Sequence, residues 1–161
     1  MAADVEGKRV IWKEEGRTIT LTGEPVLDLS LSWPEPEGKR MRGVNRYYRK
    51  IYELWKKHWE QEGYWQACAD LAQQREQSRV FRVWQAELSG KVMLDRDGLL
   101  SIAMLAREVQ GDGRMLEYRW GDTWRWEDGS AVMLKELFAQ KKSWKKCNEQ
   151  LKVSCHSFSS P

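Results

Sequence analysis

Histidine occurs only twice in the 161 residues, cysteine three times and proline four times. Each shortage excludes something. A metal or catalytic role for His58 needs a partner, and the other histidine, His156, falls in a polar tail. Cys68, Cys147 and Cys155 are an odd number at wide spacing, which is neither a disulfide framework nor a zinc pattern. Free thiols in a reducing compartment are the simplest expectation, with no metal and no other cofactor. Long hydrophobic runs are missing as well. No window approaches the roughly eighteen apolar residues of a membrane span. Residues 1–25 hold no apolar core of an export signal, so the chain as written reads as cytoplasmic. A chain trimmed of its leader would be extracytoplasmic. No glycine-rich phosphate loop follows a strand. The net charge of +3 is too small to imply a polyanionic partner by itself.

What is present is a globular balance, with 41% apolar and 32% charged residues. The length suits a single domain over 1–161, with loose ends at 1–7 and 152–161. Ten tryptophans stand out. Such rings bury large areas in cores and also favour interfaces.

Along the chain, Arg9 to Thr22 reads as a β-hairpin turning at Glu14-Glu15-Gly16. Leu27, Leu29, Leu31 and Trp33 alternate with Asp28, Ser30 and Ser32, the pattern of a half-buried strand. Pro34 and Pro36 end it. The period then changes. Val44, Tyr48, Ile51, Trp55 and Trp59 mark one face of a long helix from about Lys39 to Glu62. Gly63 is expected to interrupt that helix, and a second helical run reaches about Gln77. Residues 79–94, 99–110 and 114–126 predict a three-strand antiparallel meander, with turns at Asp95–Gly98 and Gly111–Gly113 and a bulge at Gly121. Lys135 to about Leu151 reads as a C-terminal helix. Strands and helices in separate runs predict an α+β fold: an antiparallel β-meander sheet packed against one long helix, with an N-terminal hairpin and a C-terminal helix.

Several short motifs fall in a characteristic order. Leu31-Ser32-Trp33-Pro34 precedes a helix carrying Val44-Asn45, and a meander strand begins Asp97-Gly98-Leu99-Leu100-Ser101-Ile102. Asp128-Gly129, Val132, Leu134 and Leu137-Phe138 close the pattern. In this layout, over residues 26–138, the chain resembles the bacterial RsiV/PdaC-type extracytoplasmic domain family, much of which is catalogued only as domains of unknown function. The resemblance implies a non-catalytic binding or sensing module for a protein or cell-envelope ligand. RsiV-like anti-sigma factors use the domain to bind lysozyme, and PdaC-like deacetylases carry it as an accessory module. It also implies that the chain stops short of the family's closing strands. Gly111-Asp112-Gly113-Arg114 stands where members often have Gly-Gly-Ala-His.

Two surfaces are candidates for binding. Trp120, Trp124 and Trp126 share one parity class on the last strand, so they form either core or a ligand-binding patch. Residues 39–57 hold eight basic residues and one acidic one, interleaved with tyrosines. Arg42, Arg46, Arg49 and Lys50 would be the polyanion-binding residues if the chain were instead a small cytosolic nucleic-acid-associated protein. The bland alternative for them is a solvated helix face. No set of acid, base and nucleophile converges in the sequence, so catalytic residues are not expected.

Overall fold

The computed structural model of the protein describes residues 9–137, 145–146 and 149–150. The chain divides into two compact units, Met1–Ser130 and Ala131–Pro161. The first carries five strands: β1 (Val10–Leu21), β2 (Glu24–Pro36), β3 (Trp84–Arg96), β4 (Leu99–Val109) and β5 (Met115–Arg125). Between β2 and β3 runs a helical stretch of 38 residues. It comprises a single 3-10 turn at Lys39–Met41, α1 (Arg42–His58), a wide π turn at Trp59–Gly63, and α2 (Tyr64–Glu76). The class is α+β, and the spatial order of the strands is their sequence order.

The sheet is mixed, which corrects the expectation of an antiparallel one. β2 and β3 run parallel over Leu27–Leu31 and Trp84–Leu88, and the remaining pairs are antiparallel. A parallel pair cannot be joined by a tight turn, so the chain must return across a face of the sheet. The long helix is that return.

The N-terminal hairpin is also placed differently. Glu14-Glu15-Gly16 does not turn; β1 continues through it and pairs with β2 from Val10–Pro36 to Leu21–Glu24. The turn lies at Thr22-Gly23, both with positive φ. Gly121 makes no bulge, for its pairing with Ala103 is in continuous register. The register shifts fall at Ile19/Thr20 and Val92/Leu94. The second shift swings the end of β3 away from the core, leaving Val92 and Met93 exposed. β3 begins at Trp84, five residues later than the sequence reading, while the turn at Asp97-Gly98 has the positive φ at both residues that a tight hairpin demands.

Burial follows alternation. Leu27, Leu29, Leu31 and Trp33 on β2, Trp84, Ala86 and Leu88 on β3, and Leu100, Ile102, Met104 and Ala106 on β4 point to one side. There they meet Val44, Tyr48, Trp59, Ala67 and Leu71 of the helix. The helical spacing explains the π turn. From Trp55 the inward residues come every fourth position: Trp59, Gly63, Ala67, Leu71. In an α-helix each such step drifts by about 40°. One underwound turn brings the stripe back over the sheet, so Gly63 widens the helix without breaking it. A Cβ at Gly63 would sit 3.4 Å from Trp59 Cδ1 and 3.7 Å from Leu27, both side-chain atoms of the core.

The turn that ends the first unit docks on the helix start. Arg40 donates to the Glu127 carbonyl at 2.8 Å, and Gly129 has φ of 70° with its Cα against the Arg40 carbonyl. A Cβ there would lie 2.3 Å from that oxygen. Asp128 Oδ1 accepts from the Ser130 amide at 2.8 Å, and hydrogen bonding from the Ser130 hydroxyl, then from that amide, holds its carboxyl below the usual range. The second unit contains a short 3-10 turn at Leu134–Leu137. Of the expected C-terminal helix at Lys135–Leu151, only Lys135–Leu137, which lie in that 3-10 turn, and Lys145, Lys146, Glu149 and Gln150 are described; the rest lies outside the described residues.

Candidate functional site

The tryptophan trio separates. Trp124 and Trp126 are 9% and 7% exposed and belong to the core. The Trp124 indole donates to the Tyr48 hydroxyl at 3.0 Å, and Trp126 donates to Asp95 at 2.8 Å. Neither can form a binding patch. Trp120 is half-buried, packed against the core and bordering a groove on the open side of the sheet. Around that groove the arginines already have partners: Arg107 pairs with Glu117 at 2.9 Å and Glu87 at 3.7 Å, and Arg119 with Glu117 at 3.0 Å. Hydrogen bonds from both arginines pull the Glu117 carboxyl below its usual range.

The candidate basic residues of α1, Arg42, Arg46, Arg49 and Lys50, are all exposed. Arg42, Arg46 and Arg49 line one shallow groove with Glu35 and Asn45, and Lys50 is not part of it. Asn45 donates from Nδ2 to the Pro36 carbonyl at 3.0 Å, which ties the helix start to the end of β2. Its Oδ1 is buried and has no partner among the described residues. No ion pair joins the three arginines to any described residue.

Two polar clusters fasten the helix to the sheet. Near its start, Tyr47 and Tyr48 both donate to Asp122 of β5, at 3.2 and 3.3 Å. Burial raises the Asp122 carboxyl, against the two hydrogen bonds. Burial and that carboxylate push Tyr47 up to about 12, and burial pushes Tyr48 higher still. Further along, Lys56 donates to Glu15 of β1 at 2.6 Å and Tyr52 donates to the same carboxylate. The Tyr52 ring stacks on Trp33 with centroids 3.8 Å apart. Both contacts lower the Glu15 carboxyl. These clusters bridge elements that the chain keeps far apart, so their shifted groups have a structural explanation.

A third cluster was not singled out by the sequence. Where the helix widens, Trp55 lies 5.1 Å from Trp59, 5.5 Å from Tyr118 of β5 and 5.8 Å from His58, measured between ring centroids. These rings border a cavity of about 160 Å³ that also reaches Glu108 and Leu116. Glu108 is the one buried charged residue among those described, at 6% exposure. Beside the cavity the first half of β5 displays Met115, Leu116 and Tyr118 at 55%, 43% and 57% exposure. The signal in the sequence was the run of fourfold spacings at Trp55, Trp59 and Gly63, which marks an irregular helix. Cys68 is half-buried and packs against the core.

With this geometry in hand, solved structures supply the comparison. The fold is that of DUF3298 family proteins. A member from Bacteroides fragilis superposes with a TM-score of 0.63 at 12% identity, over 83% of this chain and 62% of its own. A DUF3298 protein from Pseudomonas aeruginosa gives a TM-score of 0.56 at 10% identity, over 92% of this chain and 66% of its own. The chain thus spans about 62–66% of the length of these proteins. No protein-family profile matches the sequence, and no curated protein matches it. Among the described residues no helix is long and apolar enough to cross a membrane.

Proposed function

We propose that this chain is a non-catalytic binding module of the RsiV/PdaC type, whose partner is a protein or a cell-envelope polymer. The observation that carries the reading is the first half of β5. This strand ends the sheet order and sets Met115, Leu116 and Tyr118 in solvent next to an aromatic cavity. A strand at the end of a sheet that also shows apolar side chains is a ready docking edge. The order of the short motifs, including the close approach of Gly129 to Arg40, supports the family-level part. Titration with lysozyme and with insoluble peptidoglycan tests it. One of them is expected to bind saturably, and Leu116→Asp combined with Tyr118→Ser to weaken that binding by about tenfold or more, as for residues central to an interface. Absence of binding to both overturns the reading.

The arginine groove favours a second reading, a polyanion partner such as nucleic acid, because Arg42, Arg46 and Arg49 are exposed and unpaired among the described residues. If that reading held, affinity for duplex DNA would fall with salt at a log–log slope of about −0.9 per phosphate. The expected result is binding weaker than roughly 10⁻⁵ M at about 0.15 M salt, no more than non-specific contact.

A further inference from the structure

The cavity at the π turn combines two features that suit the same ligand chemistry. The first is a set of aromatic walls, Trp55, Trp59 and Tyr118, with His58 set edge-on to Trp55. Ring faces carry negative electrostatic potential and attract a cation held within about 6 Å. The second is Glu108. The residue is 6% exposed, and its carboxylate accepts one described hydrogen bond, from Gln110 Nε2 at 3.2 Å, and pairs with no described cation. A buried carboxylate without a counter-charge is costly. The other charged groups at the cavity are engaged elsewhere: Arg107 with Glu87 and Glu117, and His58 with Glu62 at 3.2 Å. The volume of about 160 Å³ holds roughly five waters, a compact head group rather than a sugar chain.

We propose that this cavity is a binding site for an alkylammonium group, with Trp55, Trp59 and Tyr118 caging the cation and Glu108 supplying its counter-charge. The site deepens the binding reading above, since it lies beside the open half of β5, and it names the chemistry of one contact. The ammonium can come from a lysine side chain of a bound protein or from a free quaternary amine.

The test is a nuclear magnetic resonance titration of the full chain with tetramethylammonium, with its neutral shape-mimic 3,3-dimethylbutanol, and with sodium chloride as the ionic-strength control. Saturable shifts of the Trp55 and Trp59 indole N–H signals are expected with the cation. The neutral mimic should bind at least about tenfold more weakly, the size of a cation–π and charge contribution. Glu108→Gln should weaken the cation by about tenfold, and Tyr118→Leu by about fivefold. Tyr118 is more than half exposed, so that variant keeps the test valid if Glu108→Gln fails to fold. Shifts that do not saturate, equal binding of the neutral mimic, or indifference to Tyr118→Leu overturns the proposal. Choline and acetyl-lysine-amide, run in parallel, separate the two sources; tighter binding of either supports the site. Loss of lysozyme and peptidoglycan binding with ammonium binding intact would refute the broader reading alone, and the converse would refute this one alone.

Discussion

The two halves of β5 have similar sequence patterns and opposite fates. Leu116 and Tyr118 share their parity with Trp120, Trp124 and Trp126. Yet Leu116 and Tyr118 stand in solvent, while Trp124 is in the core. The difference lies in what crosses above. The start of α1 is tied down over the second half through Tyr47 and Tyr48 on Asp122, and Trp124 donates into the same network. Over the first half the helix offers the rings of Trp55, His58 and Trp59 together with Gln66, and it widens there instead of closing down. Alternation therefore says which side a strand residue takes, and the path of the helix says whether that side is covered.

The largest effect should separate the halves directly. Trp124→Ala is expected to cost about 3–5 kcal/mol, the range for truncating a buried aromatic. Tyr118→Ser should stay within about 0.5 kcal/mol, as surface substitutions do. Urea denaturation of both variants checks this, and similar losses would show that the first half of β5 is covered after all. Trp55, the middle of the apolar stripe, is half-buried rather than buried. The deeply buried anchor of the stripe is Trp59, at 1% exposure.

A middling effect tests the network. Tyr48→Phe keeps the ring and removes the hydroxyl that accepts from Trp124 and donates to Asp122. It leaves a buried indole N–H without a partner, so a loss of about 1–3 kcal/mol is expected in the same assay. A neutral outcome would mean that packing alone holds this end of the helix.

The smallest effect concerns pH. Glu15 has a folded-state pKa below its ordinary value of 4.5, chiefly through the hydrogen bond from Lys56. Its contribution is therefore complete above that value and drains away as pH falls through the folded-state pKa. Glu15→Gln should lower the melting temperature slightly at pH 7 and flatten its decline on acidification. An unchanged acid slope would show that the Glu15 cluster, at the opposite edge of the sheet from β5, does less than its geometry implies. Asp122 acts in the opposite sense. Its raised pKa favours the protonated form, so its contribution is present at low pH and lost as pH rises through the folded-state value.

Much of this fold is legible in sequence. The alternation on 27–33, 84–88 and 100–106 and the stripe from Val44 to Trp59 identify the core-facing residues, and Asp97-Gly98 locates a hairpin turn. The candidate site was far less legible. Trp124 and Trp126 proved to be core, and Arg42, Arg46 and Arg49 share a groove that Lys50 does not reach. Glu108 reads in sequence as an ordinary strand carboxylate before Gln110, and nothing local says that Trp59 will pass above it.

Periodicity by itself determined the element types and the inward faces, because side-chain direction is a local consequence of backbone geometry. Gly129 and Gly98 marked turns for the same local reason. Only the tertiary structure decided three things: that β2 and β3 run parallel, that β1 is one strand paired along its whole length, and that Trp55, Trp59, Tyr118 and Glu108 meet. Each depends on where the 38-residue helical return lands on the sheet. That landing is set by the sum of contacts between segments far apart in the chain, and no short window of sequence contains it.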